Sequence, residues 1–266
     1  MSGQAAIEPK VYHAGLVIMP SGVDAVVFDL PGCTGAAADE AAAREMLPIV
    51  IAEHLAWLDR HGDVTRNAFP FEVEFTERVD VEALDGISGG EFLFKAFARP
   101  VSHDDLETAV RRLGYAREDL LAVVSQLPDP VLDWCPPASA FAPDEPGSEV
   151  RSIRRVLGHI AGSDAYYAGN IGDAPWERVR PGDIPDLFDM RREAIERLDS
   201  LTPAELAGRW DRRHPWDPER VEQWTVRKAL HRFIVHERFH VREIEQRLAW
   251  LLVGPPVLER STVTPR

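Results

Sequence analysis

Apolar and polar residues alternate along short stretches in the first hundred residues, as they do in strands that have one buried face. Residues 11–19 and 24–30 are rich in β-branched and aromatic residues, and the Pro-Ser-Gly turn between them predicts a hairpin. Residues 71–75 and 91–97 are predicted as two further strands. These patterns predict a small β-sheet near the start of the chain.

One amphipathic helix is predicted among these strands, over residues 38–60. Its apolar positions recur mostly three and four residues apart, and His61-Gly62 supplies a stop. The strands and this helix together predict an α+β domain, to which we assign residues 1–98. The apolar face of the helix is predicted to consist of Met46, Ile49, Val50, His54, Leu55 and Leu58.

After this domain the apolar spacing changes to long helical periods, which predicts an all-α domain over residues 99–266. Ser102, Ser152 and Thr225 stand where helix N-caps are expected. Residues 209–223 lack a regular spacing and are predicted to be irregular. Four helices of this length imply a four-helix bundle. They are predicted over residues 104–127, 153–167, 184–201 and 226–252.

Composition and charge exclude several classes of function. The net charge of -14 argues against a nucleic-acid partner, because phosphate binding needs a basic face. No apolar run is long enough to span a bilayer, and the N-terminus lacks the apolar stretch of a signal peptide, so a cytoplasmic location without membrane contact is predicted. Cys33 and Cys135 lie far apart and form no metal-binding motif, so any metal must be bound by His, Asp or Glu.

The last predicted helix contains the pattern H-E-x-x-H at residues 236–240. His236 and His240 lie on its apolar stripe, one above the other, so two imidazoles can reach one metal ion inside the bundle. His159, at the apolar edge of the second helix, is the third predicted ligand. His231 lies off this stripe and is predicted to face solvent. The pattern therefore predicts a three-histidine site for a divalent metal.

The same five letters occur in zinc proteases, where the glutamate is the general base. The metzincin continuation is missing here, since neither its glycine nor its third histidine follows His240. Glu237 is a weak catalytic candidate on this pattern. Its alternative role is that of a surface or supporting carboxylate near Arg238 and Arg242.

Carboxylates and aromatic residues near the three histidines have predicted supporting roles. Asp164 and Glu243 can each accept a proton from the second ring nitrogen of a ligand, an interaction that metal-bound histidines generally make. Aromatic side chains can wall a pocket above the metal, although their spacing also fits ordinary packing. These aromatic residues are Tyr166, Tyr167, Trp210, Trp216 and Trp224.

The motif Asp29-Leu30-Pro31-Gly32-Cys33 stands between two predicted strands and a helix with a Glu- and Ala-rich start. This arrangement, over residues 10–80, resembles the HicB antitoxin-type domain. The resemblance implies a small β-α-β fold, related to a truncated ribonuclease H, that acts by binding a protein partner. Ala36-Ala37-Ala38 replaces the Gly-Asp-Thr that usually precedes the helix in that family.

Two segments of the second domain carry another resemblance. SIRRVLGHIAGSDAYY in the second predicted helix and WTVRKALHRFIVHERFHVREI in the fourth resemble the DinB (DNA-damage-inducible) family, over residues 101–253. The resemblance implies a four-helix bundle that binds a divalent metal, zinc or nickel, through His159, His236 and His240. Members of the family include thiol-dependent S-transferases and a thiol-dependent isomerase. Phe239 stands where many relatives have a further histidine.

The predicted function is that of a metal-dependent enzyme that acts on a small-molecule substrate, with S-transferase chemistry that uses a low-molecular-weight thiol. A metal-dependent hydrolase is the alternative within the enzyme class. The alternative outside it is a non-catalytic module, in which the metal is structural and the N-terminal domain binds a protein partner. A homodimer fits each of these functions, and the sequence leaves them open.

Overall fold

The computed structural model describes residues 8–63, 69–81, 92–137, 151–174, 176, 186–213, 219 and 221–253. The N-terminal part of the chain forms one sheet and one long helix. Its elements are β1 (Lys10–Met19), β2 (Gly22–Val27), β3 (Thr34–Ala37), α1 (Glu40–Arg60) and β4 (Phe71–Asp80). The C-terminal part follows with a largely helical arrangement, so the predicted order of an α+β unit before a helical unit is observed.

The N-terminal sheet has the strand order β3-β2-β1-β4. β1 and β2 form the predicted hairpin, and Gly22 takes the positive φ that the tight turn requires. β4 runs parallel to β1, because α1 carries the chain across the sheet between β3 and β4. The strand that was predicted over residues 71–75 is confirmed and extends to Asp80.

The strand predicted over residues 91–97 is wrong where the structure describes it, because Lys95–Ala98 forms a short 3-10 helix. Phe94 and Phe97 lie three residues apart on one side of it and pack edge-on against Phe28. The carboxylate of Glu77 accepts hydrogen bonds from the first backbone N–H groups of this turn, at 2.8 Å each. A three-residue apolar period and a side-chain cap therefore favoured a turn of helix over a strand.

Helix α1 begins at the N-cap Asp39, whose side chain accepts from the N–H of Ala42. Its buried face differs from the predicted one. Ile49 is 62% exposed, because the core ridge follows positions four residues apart that place Ile49 on the other side of the helix. The buried residues are Ala43, Leu47, Ile51, His54, Leu55, Trp57 and Leu58.

Four long helices form the C-terminal part, as predicted, and the cap residues Ser102, Ser152 and Thr225 each accept a hydrogen bond from a first-turn N–H group. None of the described helices is apolar over a length that could cross a bilayer. The elements are α2 (His103–Val124), α3 (Asp129–Leu132), α4 (Ile153–Gly169), α5 (Leu187–Asp199), α6 (Pro203–Leu206), β5 (Trp210–Arg213), β6 (Val221–Trp224) and α7 (Val226–Val253).

The segment 209–223, predicted to be irregular, instead contains the two strands of a hairpin in its described part. β5 and β6 pair antiparallel, and Trp210 lies opposite Trp224. Both indole rings are buried, so a cross-strand aromatic pair stabilises strands that are too short to show alternation. Trp216 lies outside the described residues.

One continuous cluster of buried apolar side chains joins the sheet, α1 and the helical part. Its members include Leu16 and Leu47 from the first part and Leu113 and Phe233 from the second. The division of the chain at residues 98 and 99 stays a prediction.

The loop after β2, which contains the motif Asp29-Leu30-Pro31-Gly32-Cys33, packs directly on α7. Gly32 has a φ of +87°, and its N–H donates to Nδ1 of His231 at 3.1 Å. A Cβ atom at this glycine would lie 2.2 Å from Cγ2 of Ile234, so a larger residue would separate the loop from the helix. The glycine is thus needed both for the turn and for the contact between the two parts of the chain.

His231 does not face solvent, so that prediction is wrong. The ring is 3% exposed, and burial lowers its pKa to about 3, which keeps it neutral and able to accept the hydrogen bond from Gly32. Nearby, Arg238 stacks over the ring of Trp57 and donates to Nδ1 of His54 at 2.6 Å. This face of α7 therefore holds the N-terminal part of the chain.

Candidate metal centre

Helices α4 and α7 bring together the three predicted histidines. Nε2 of His236 lies 3.0 Å from Nε2 of His159 and 3.1 Å from Nε2 of His240. One ligand atom from each ring lies within 4.8 Å of those of the other two. The pair on α7 is one helical turn apart, so both rings project from the same face toward α4. The packing of these two helices creates the cluster.

The spacing of these nitrogen atoms fits a single metal ion. Three nitrogen ligands at about 2.0–2.1 Å from a tetrahedral ion are separated by about 3.3 Å, which is close to the observed distances. Burial lowers the pKa of His159 to about 3 and that of His236 well below its ordinary value. These two rings are thus neutral, which leaves their lone pairs available for coordination. An all-imidazole donor set suits zinc, copper, iron or nickel, so the geometry alone leaves the predicted choice of zinc or nickel untested.

Glu243 orients His240 from its other side, as predicted. Its carboxylate lies 2.5 Å from Nδ1 of His240, and Arg247 donates a hydrogen bond to its second oxygen. Burial alone raises the pKa of Glu243, but the hydrogen bonds from His240 and Arg247 lower it to about 2. The ionised carboxylate therefore keeps the proton of His240 on Nδ1 and directs Nε2 toward the other two histidines.

Asp164 has no such role, contrary to the prediction. Its two carboxylate oxygens each accept a hydrogen bond from Arg191 at 2.9 Å, and one also accepts from Arg117 at 3.2 Å. Glu237 completes this group, because Arg117 donates to it at 2.5 Å and Arg191 donates to its other oxygen. We call these four residues the charge quartet.

The charge quartet takes one residue from each helix of the bundle: Arg117 from α2, Asp164 from α4, Arg191 from α5 and Glu237 from α7. All four side chains are less than a tenth exposed. Sequence reasoning missed this group, although Arg117 lies on the apolar stripe of α2 between Leu113 and Leu120. A charged residue at such a position is a signal for a buried partner.

The placement of Glu237 also corrects its predicted surroundings. The side chain is 1% exposed and contacts Arg117 and Arg191, and not the neighbouring Arg238 and Arg242. Because both of its oxygens accept hydrogen bonds from arginines, its carboxylate is held in the core of the bundle. The glutamate of the H-E-x-x-H pattern thus has a structural contact that explains its presence.

Polar and aromatic side chains border the three histidines. The hydroxyl of Ser163 lies 3.3 Å from Nε2 of His236, and the ring of Tyr167 packs edge-on against the same imidazole. Phe239 packs edge-on against His240 while 55% of it stays exposed. Of the other aromatic residues predicted near the site, Tyr166 and Trp224 pack against Tyr167 and against each other. The indole N–H of Trp210 donates a hydrogen bond to the carboxylate of Asp173.

A comparison with known protein families shows the family to which the helical part of the chain belongs. A model of the DinB superfamily matches residues 112–244, which is half of the chain and includes all three histidines. The chain belongs to the DinB superfamily. The match begins within α2, so it does not reach the N-terminal sheet, and the likeness of that sheet to HicB domains stays a prediction.

A solved structure of a DinB-like protein is also similar to the chain. It is described as YfiT from Bacillus subtilis, a probable metal-dependent hydrolase with an unusual four-helix bundle topology. The sequences are 17% identical, and the alignment covers 56% of this chain and 91% of YfiT with a TM-score of 0.36. A TM-score this low supports no conclusion about the site. No curated protein matches the chain.

Replacement of Glu243 by glutamine is expected to lower metal affinity by about 10- to 100-fold, because His240 loses the ionised acceptor that orients it. Competition with a chromophoric chelator measures the affinity. Glu245→Gln, an exposed change on the same helix, is the matched control and is expected to leave the affinity unchanged. Equal affinity in the Glu243 variant and the wild type would show that this carboxylate does not support the ligand.

Proposed function

We propose that this protein is a metal-dependent S-transferase, in which His159, His236 and His240 hold a divalent ion that activates a low-molecular-weight thiol. The observation that carries the proposal is the convergence of three imidazoles from two helices, with an ionised carboxylate behind one of them. A set of three protein ligands is typical of catalytic sites, where a further coordination position is kept for an exogenous molecule.

Thiol activation is the easier reaction for such a site. A bound divalent ion stabilises the anionic form of a coordinated thiol or water, and a thiol with a pKa near ~8.5 needs far less help than water near ~15.7. Imidazole binds a metal in its neutral form, so three such ligands would leave the positive charge of the ion largely uncompensated, which favours an anionic partner. The substrate is proposed to be a small electrophile.

The reacting thiol is proposed to come from outside the chain. Cys33 is 1% exposed in the loop that packs on α7, and burial raises its pKa to about 12, so it is not a nucleophile at neutral pH. Cys135 is exposed beyond α3, and among the described residues its sulfur is not part of the group of ligand atoms that the three histidines form. The chain's own residues therefore bind and orient the reactants: Glu243 fixes His240, while Tyr167 and Phe239 flank the imidazoles.

The test is conjugation of a low-molecular-weight thiol to a chlorinated aromatic electrophile by the metal-loaded protein. The new carbon–sulfur bond replaces the carbon–chlorine bond, chloride leaves, and the thiol proton passes to solvent. We expect turnover that chelation abolishes and that Cys135→Ala leaves intact. Metal-dependent hydrolysis of an ester or amide, without conjugation by any thiol tried, would instead support a hydrolase.

A non-catalytic module is the third outcome of the same experiment. If neither conjugation nor hydrolysis occurs, the metal is structural, and the N-terminal sheet with its HicB-like motif becomes the functional part as a binding surface for a protein partner. The cytoplasmic location and a homodimeric state are further proposals that accompany either function.

A further inference from the structure

Helix α4 brings three side chains to one imidazole of the cluster. His159, Ser163 and Tyr167 follow one another at intervals of four residues, so they lie on the same face of α4. All three contact His236 on α7. Its Nε2 atom lies 3.0 Å from Nε2 of His159 and 3.3 Å from the hydroxyl oxygen of Ser163. The ring of Tyr167 packs edge-on against it. Ser163 is therefore adjacent to the metal-facing nitrogen of a predicted ligand.

The hydroxyl of Ser163 has no other hydrogen-bond partner among the residues that the structure describes. Nε2 of His236 can accept from it only through a single lone pair, because that is all an unprotonated ring nitrogen carries. A metal ion that His236 coordinates through Nε2 would take this lone pair. The hydroxyl would then need another acceptor close to the ion.

The bound atom of an exogenous thiol meets this need. A serine hydroxyl is not among the ligands that zinc takes in proteins, so Ser163 is suited to donate a hydrogen bond beside the ion and not to coordinate it. A sulfur atom that has lost its proton keeps lone pairs when it coordinates, and a hydrogen bond to a charged acceptor is stronger than one to a neutral acceptor. His159 and His236 are only partly buried, which leaves the cluster open to a small molecule.

We propose that the hydroxyl of Ser163 donates a hydrogen bond to the sulfur atom of the thiol that the three-histidine site activates. The inference rests on the proposed function and adds a residue that contacts the reacting atom. The thiol gives its own proton to solvent, and the serine keeps its proton while sharing it with the sulfur anion. This hydrogen bond stabilises the anion and fixes its position relative to the electrophile.

The test compares two ligands of the cobalt(II)-loaded protein, 2-mercaptoethanol and imidazole, with binding followed by the visible absorption of the metal. A coordinated sulfur anion can accept a hydrogen bond, whereas the coordinated nitrogen of imidazole has no lone pair left. In Ser163→Ala we expect the thiol to bind about tenfold more weakly, because it loses a hydrogen bond to a charged atom. Imidazole should bind this variant as it binds the wild type. Ser163→Thr keeps a hydroxyl and should restore most of the thiol affinity.

Controls separate the loss of this hydrogen bond from damage to the site. Ser125→Ala, an exposed change at the end of α2, is the matched control and should bind both ligands like the wild type. Every variant should bind one equivalent of cobalt, because the proposal gives Ser163 no bond to the ion.

Three results for Ser163→Ala would overturn the inference. Loss of cobalt, or equal losses of thiol and imidazole affinity, would mean that the serine only supports the ring of His236. Tighter thiol binding would mean that its oxygen occupies the place of the ligand, and unchanged thiol affinity would mean that the two do not meet.

The same titrations distinguish this inference from the proposed function. A wild type that binds imidazole but no thiol would make both wrong. Thiol binding that depends on Ser163, without conjugation to the chlorinated electrophile, would refute the transferase proposal alone.

Discussion

Alanine in place of His159 is expected to abolish stoichiometric metal binding while the helical bundle stays folded. His159 is the single contribution of α4 to the cluster, and its ring touches His236 and His240. Loss of a direct ligand should cost more than the roughly 10- to 100-fold in affinity that removal of an outer hydrogen bond costs. Metal analysis of the purified variant and a metal titration followed by thermal unfolding measure the effect.

The thermal measurement distinguishes a lost ligand from a damaged fold. In the wild type a metal that binds only the folded state should raise the melting temperature, whereas the His159→Ala variant should show no such shift. Its metal-free form should be about as stable as the metal-free wild type, because the ring that is removed is polar and only partly buried. His103→Ala, at the exposed start of α2, is the control and should bind one equivalent of metal. Full occupancy in the His159 variant would refute the site across α4 and α7.

Glu237→Ala is expected to lower the free energy of unfolding by about 3–5 kcal/mol, because it leaves the charge quartet with one carboxylate for two buried arginines. Urea denaturation of the metal-free protein, followed by circular dichroism, measures this change. The metal-free form is used so that an altered metal affinity does not contribute. Glu245→Ala, on the exposed side of the same helix, should change the value by less than about 0.5 kcal/mol.

A double variant tests the electrostatic origin of that loss. Arg117→Ala combined with Glu237→Ala leaves the two-fold hydrogen-bonded pair of Arg191 and Asp164, which is electrically neutral. We expect the double variant to be more stable than the sum of the two single losses predicts, because no charge is left unpaired in the core. Strictly additive losses would mean that packing, and not charge pairing, accounts for the effect of Glu237→Ala.

Helix α7 serves three purposes with three of its faces. His236 and His240 project toward α4, Glu237 projects toward the charge quartet, and His231 and Arg238 hold the N-terminal part of the chain. The H-E-x-x-H pattern arises because the two histidines of the cluster and the glutamate of the charge quartet come from the same turn of α7. Two ligands stacked on one face of a helix are four positions apart, with three residues between them, and one of these, Glu237, faces the other three helices of the charge quartet.

The sequence by itself determined the helical bundle, its caps and the pairing of the histidines. These properties depend on short spacings along one segment: a period of three and four residues places His236 and His240 together, and Ser102, Ser152 and Thr225 cap their own helices. The partnership of His240 with Glu243 is equally local, since the two residues are three positions apart on one helix. Local geometry can be predicted because few backbone conformations satisfy it.

Only the tertiary structure decided where the charged side chains and the remaining histidines lie. Glu237 meets Arg117 across a separation of 120 residues, and His231 meets Gly32 across 199. No spacing within one helix indicates which distant residue will be packed against it. The sequence therefore predicted that His231 faces solvent, and it predicted Glu237 only as a weak catalytic candidate or as a surface or supporting carboxylate. A buried charge or polar ring is unfavourable unless it has a hydrogen-bond or charge partner, and these partners become neighbours only when the helices pack. The partners then determine the role of each residue.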